Sequence, residues 1–122
     1  MKTILLIEDE QLLQKTLGDV LGNEGYKIIN ALDGEIGLRL AKEKKPDLIL
    51  LDIILPKLNG FDVLKKLRED PETKWIPVIV LTNLEQTKDI EKALSLGASA
   101  YLVKNNYTMA EVIEKIKKSL KE

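Results

Sequence analysis

Cysteine and histidine are both missing from the 122 residues. Without cysteine, neither disulfides nor thiolate metal sites can form. Without histidine there is no imidazole catalysis, no histidine–metal ligation and no phosphohistidine carrier. An excess of charge of one sign is lacking too. Lysine plus arginine number 19 and aspartate plus glutamate 20, a net charge of −1, so nothing predicts a nucleic-acid or membrane surface. No apolar stretch is long enough to span a bilayer. Met1-Lys2-Thr3 leads straight into an apolar run without the layout of a signal peptide, so a cytoplasmic location is expected. The chemistry left to this chain must run on carboxylates, hydroxyls, lysine and backbone.

What is present is a regular alternation. Hydrophobic residues make up 44%, enough for one core, and the length fits a single domain over 1–122. Five short runs rich in Ile, Leu and Val occur at Thr3 to Ile7, Tyr26 to Asn30, Asp47 to Leu51, Pro77 to Thr82 and Ala100 to Lys104. They do not alternate with polar residues, which is the pattern of strands buried on both faces. Between them lie helical spacings, clearest at Leu13, Leu17, Val20 and Leu21 and at Met109, Val112, Ile113, Ile116 and Leu120. Gly22, Gly25 and Gly97 stand where helices should stop. Thr108-x-x-Glu111 reads as a capping box. Five β–α units in succession predict a parallel sheet covered by helices on both sides.

In such sheets ligands bind beyond the carboxyl ends of the strands, so the strand-ending residues matter most. The stretch Ile4-Leu5-Leu6-Ile7-Glu8-Asp9-Glu10 ends an aliphatic run with three acids. A plain reading is that a strand reaches water and Asp9 caps the next helix; a sharper one is that a cation sits there. Asp52 follows the third run, Thr82 ends the fourth and Lys104 ends the fifth. Taken singly these are an ordinary solvated carboxylate, a β-branched strand residue and a surface lysine. Converging on one edge, they make a site.

The ordered set, with "DLILLDIILPKLNGFDVLKKLR", "PVIVLT" and "GASAYLVK", strongly resembles the response-regulator receiver domains of two-component signalling over essentially the whole chain. The resemblance implies a flavodoxin-like (βα)5 doubly wound sandwich with strand order 2-1-3-4-5. It implies that Asp52 is the phosphoacceptor and that Mg2+ is the cofactor. Asp9, Asp52 and the backbone carbonyl of Ile54 would ligate the ion, and Glu8 would act through water. It implies that Lys104 pairs with Asp52 and then with the phosphoryl group, while Thr82 and Tyr101 act as switch residues. The implied partners are a histidine kinase or histidine phosphotransfer protein, and an effector that reads the surface of helix 4, strand 5 and helix 5. The chain would be a monomer or a weak phosphorylation-dependent dimer, contacting neither nucleic acid nor membrane, and would catalyse only its own phosphorylation and dephosphorylation.

Departures from the family pattern stand at Asn105, where proline usually follows the lysine, and at Asn83, where a small residue is usual. The sequence leaves open whether the Lys104–Asn105 bond is cis or trans. Ile54 and Leu84 are apolar at positions flanking the phosphoryl site. A flavodoxin-like cofactor binder would need a Ser/Thr/Gly-rich loop where Glu8-Asp9-Glu10 stands. A dehalogenase-type phosphatase would need an acid at position 54. The remaining rival is a non-phosphorylated protein-interaction module of the same fold.

Overall fold

The computed structural model describes residues 1–122. Strands β1 (Thr3–Ile7), β2 (Lys27–Ala31), β3 (Leu48–Leu51), β4 (Val78–Thr82) and β5 (Ala100–Val103) alternate with helices α1 (Gln11–Asn23), α2 (Gly34–Lys44), α3 (Gly60–Glu69), α4 (Thr87–Ser95) and α5 (Met109–Ser119). All strand pairs are parallel, in the order β2-β1-β3-β4-β5. The flavodoxin-like doubly wound expectation therefore holds.

The period of two along each strand divides the core. Leu5, Ile7, Ile49, Leu51, Val78 and Val80 face one way, against Ala41 of α2, Val63, Leu64 and Leu67 of α3 and Ala93 of α4. Ile4, Leu6, Leu48, Leu50, Ile79 and Leu81 face the other, against Leu17 and Leu21 of α1 and Val112 and Ile116 of α5. That two-sided burial is why β1, β3 and β4 read as unbroken aliphatic runs. Strand β2 does not follow it. It is an edge strand, with Lys27 and Asn30 exposed and only Ala31 buried.

The chain winds from β1 to β2 on one side and then crosses to β3 on the other side of β1, so the strand order reverses at the carboxyl ends of β1 and β3. Ile7 pairs with Leu51 there, which sets Glu8 and Asp52 next to each other. The Asp52 N–H donates to the Ile7 carbonyl at 3.0 Å and fixes that junction.

Turn chemistry agrees with the sequence in most places. Thr108 and Glu111 form the reciprocal capping box opening α5. Gly25 and Gly97 take positive φ of 94° and 103°, which suits glycine. Gly22 instead lies inside the last turn of α1. Strand β2 begins and ends one residue later than its aliphatic run, because its register pairs Thr3 with Lys27 and Ile7 with Ala31. Tyr26 is buried in the α1/α5 side of the core. Lys104 has left β5 and opens a short 3-10 turn, Lys104–Asn106. No peptide bond is cis, so Lys104–Asn105 is trans. No helix is long and apolar enough to cross a membrane.

Candidate functional site

Glu8 and Asp52 leave adjacent strands at the reversal point and are both buried, with 4% and 5% of their surfaces exposed. Asp9 is exposed beside them, and one carboxylate oxygen from each of the three lies within 4.8 Å of the others. Two buried acids side by side need a cation, a proton or both. Lys104 provides the first. From the end of β5 its Nζ reaches Glu8 Oε1 at 2.8 Å and Asp52 Oδ2 at 2.9 Å.

The second oxygen of each acid is also held. Glu8 Oε2 accepts the Glu10 N–H at 3.0 Å, and Asp52 Oδ1 accepts the Ile54 N–H at 3.2 Å. Burial pushes the Glu8 carboxyl up to about 7, against the Lys104 and Glu10 hydrogen bonds that draw it down. Burial works against the Lys104 ammonium, but its bonds to Glu8 and Asp52 outweigh that and hold it above its ordinary value. The lysine thus stays charged, while burial leaves Glu8 easier to protonate than an ordinary carboxyl.

Thr82 ends β4 fully buried, and its Oγ1 accepts the Leu84 N–H at 3.5 Å. Tyr101, half-buried on β5, donates its hydroxyl to the Leu84 carbonyl at 2.8 Å. The two residues that the resemblance pairs as switch elements are therefore joined through the main chain of Leu84. Burial, with the charges of Asp89 and Asp52, raises the Tyr101 phenol to about 12, so it remains a donor at any ordinary pH. Arg68, which donates to the Gly97 carbonyl at 2.9 and 3.1 Å, and Lys92, 4.4 Å above the Phe61 ring, hold α4 against α3.

Three features were not legible beforehand. Gln14 is buried in α1 and donates to the carbonyls of Glu8 (3.2 Å) and Ala31 (3.1 Å), pinning the loop after β1 to the end of β2. Its signal is a polar residue in a core-facing row with Leu17 and Leu21. Asp9 does not cap α1: Glu10 occupies the N-cap, with no side-chain cap bond. Glu10, the last acid of the stretch after β1, has its carboxylate 3.9 Å from Lys104 Nζ.

An all-oxygen set of carboxylates on one edge suits a hard divalent ion such as Mg2+, which binds through one or two carboxylates and keeps its remaining waters. The cavity lined by Glu8, Asp52 and the neighbouring aliphatic side chains measures about 10 Å³, room for about one water. The same edge carries exposed Leu12, Leu32 and Ile54, with 73%, 41% and 54% of their surfaces in solvent.

The family described as "Response regulator receiver domain" matches residues 4–117. The chain is 38% identical over 119 residues to the polar-differentiation response regulator DivK of Brucella anthropi, covering 98% of this chain and 96% of DivK. It is also 38% identical to the alkaline phosphatase synthesis transcriptional regulatory protein PhoP of Bacillus subtilis, covering 98% of this chain but 49% of PhoP. Among solved structures, the receiver domain of a sensor histidine kinase of Pseudomonas aeruginosa, with a magnesium ion coordinated in its active-site cleft, superposes with a TM-score of 0.90 at 29% identity, covering 99% of this chain and 98% of that one.

Proposed function

The chain belongs to the response regulator receiver domains of two-component systems, and from that premise we propose that residues 1–122 act as one cytoplasmic phosphoryl-accepting switch with Asp52 as the acceptor. The observation that carries this reading is the Lys104 ammonium bridging Glu8 and Asp52 within a three-carboxylate cluster. An Asp52 oxygen forms the new O–P bond as the P–N bond of a phosphohistidine donor breaks, and the imidazole leaves with the bonding pair. Both reactants are anionic, so charge compensation decides the rate. Asp9, Asp52 and the Ile54 carbonyl would hold Mg2+ directly, with Glu8 reaching it through water. Bound there, the ion supplies charge neutralisation for the phosphoryl oxygens. Lys104 turns from the carboxylates to the phosphoryl group, and the Thr82 hydroxyl donates to it.

Moving Thr82 disturbs Leu84, and with it the Tyr101 bond to the same residue. That link supports an output through α4, β5 and α5, read by an effector protein as a population shift. The collar of Leu12, Leu32 and Ile54 supports a protein donor, a histidine kinase or phosphotransfer protein, docking at the same edge. The protein's own chemistry goes no further than gaining and losing this phosphoryl group.

Intact-mass spectrometry after incubation with acetyl phosphate tests the reading. One added phosphoryl group is expected with magnesium, and none after EDTA or in Asp52→Asn. An adduct that persists in Asp52→Asn places the acceptor elsewhere. A second expectation concerns lifetime. Ile54 and Leu84 limit water at the site, so Ile54→Asn combined with Leu84→Gln should shorten the phosphoryl lifetime several-fold. An unchanged decay rate would remove both residues from that role.

A further inference from the structure

The Glu10 side chain makes no hydrogen bond, and its one charged neighbour is Lys104. Its carboxylate is 3.9 Å from Lys104, beyond hydrogen-bond range, and its side chain is 59% exposed. It caps α1 without a side-chain bond. The four oxygens of Glu8 and Asp52 already have donors in Lys104, the Glu10 N–H and the Ile54 N–H. Lys104 is therefore committed to two buried acids; of the two exposed carboxylates at this edge, Asp9 lies in the three-acid cluster and Glu10 is the one 3.9 Å from the ammonium.

Building on the Asp52 reading, we infer that Glu10 is a specificity-determining residue that selects between phosphoryl donors by charge. A free anionic donor that reaches Lys104 comes within a few ångströms of the Glu10 charge, and repulsion lowers the population of its productive complex. A donor carried on a protein meets the same charge but brings apolar contacts to Leu12, Leu32 and Ile54, which offset it. Free small-molecule phosphates are thereby disfavoured relative to a docked partner. The residue acts through its field and not through a contact, so its effect scales with donor charge and falls with salt.

The test measures rates of adduct formation for the wild type, Glu10→Gln and Glu10→Asp, all at magnesium concentrations shown by thermal-shift titration to be saturating for each. The donors are acetyl phosphate, a dianion at neutral pH, and phosphoramidate, a monoanion. At ionic strength of about 0.1 M, where the Debye length is about 10 Å, Glu10→Gln should react about threefold faster with the dianion, taking one unit charge a few ångströms away in a watery mouth. The gain should be under about twofold with the monoanion, because it scales with donor charge. Both gains should nearly vanish at about 1 M salt, where the Debye length is about 3 Å. Glu10→Asp, which keeps the charge, should behave as the wild type. Equal rates for wild type and Glu10→Gln, or a gain identical for both donors at both salts, would overturn the inference while leaving Asp52 as acceptor. No adduct on the wild type with either donor would overturn both.

Discussion

Lys104→Met is expected to cost about 3 kcal/mol of folding stability in magnesium-free buffer, the lower end of the range for breaking a buried ion pair. The reason is the company the lysine keeps. Its side chain is 12% exposed and those of Glu8 and Asp52 are 6% and 5% exposed, so removing the ammonium leaves two desolvated acids facing each other. Methionine keeps the apolar stem and removes only the charge, which separates electrostatics from packing. Magnesium should restore part of the loss, since a ligand bound only by the folded state stabilises it by mass action. Urea denaturation of both proteins, with EDTA and with excess magnesium, checks this. A variant as stable as the wild type in EDTA would mean the pair contributes nothing net to the fold. A loss of the same size in both buffers would remove the ion from the account.

Gly60→Ala is the second large effect, and it runs against helix propensity. Gly60 opens α3, where alanine would ordinarily gain about 1 kcal/mol over glycine. Here a Cβ would lie 2.4 Å from the Asp52 carbonyl oxygen and 2.5 Å from the Ile53 Cα. Both are backbone atoms, and the Gly60 N–H donates to the Ile53 carbonyl at 2.8 Å, so neither side can yield. A loss of about 3 kcal/mol is expected, at the upper end for overpacking. The obstructed atoms belong to the proposed acceptor Asp52 and its neighbour, so the acetyl-phosphate reaction should slow as well. Gly22→Ala, in the last turn of α1 with nothing within 4 Å of a Cβ, is the matched control and should be neutral or stabilising. Two variants of equal stability would show that close approach at Gly60 does not hold the β3–α3 junction.

Much of the fold was legible because its signals are local. The aliphatic runs of β1, β3 and β4 announce strands buried on both faces, and Thr108 and Glu111 announce the start of α5 from four residues. Strand β2 misled because its run of Ile28 and Ile29 is as apolar as the others, while its edge position is set by the order of the sheet. Gln14 was passed over for a related reason. A polar residue on a helix's core-facing row looks like a flaw until the carbonyls of Glu8 and Ala31 are seen beneath it.

The sequence by itself determined which chemical groups stand at the ends of the strands: Glu8, Asp9, Asp52, Thr82 and Lys104. Each follows from an apolar run stopping at a particular residue, and the run's length decides that. Only the tertiary structure decided who meets whom. Lys104 could reach Glu8 and Asp52 from β5 because β3 lies beside β1 and β4 separates it from β5, an order no local pattern encodes. Glu10 is brought near the site by the same route, through one distance to a lysine 94 positions along the chain (104 − 10). Contacts of that separation depend on how two faces of a sheet fill with helices, a property of the packed whole.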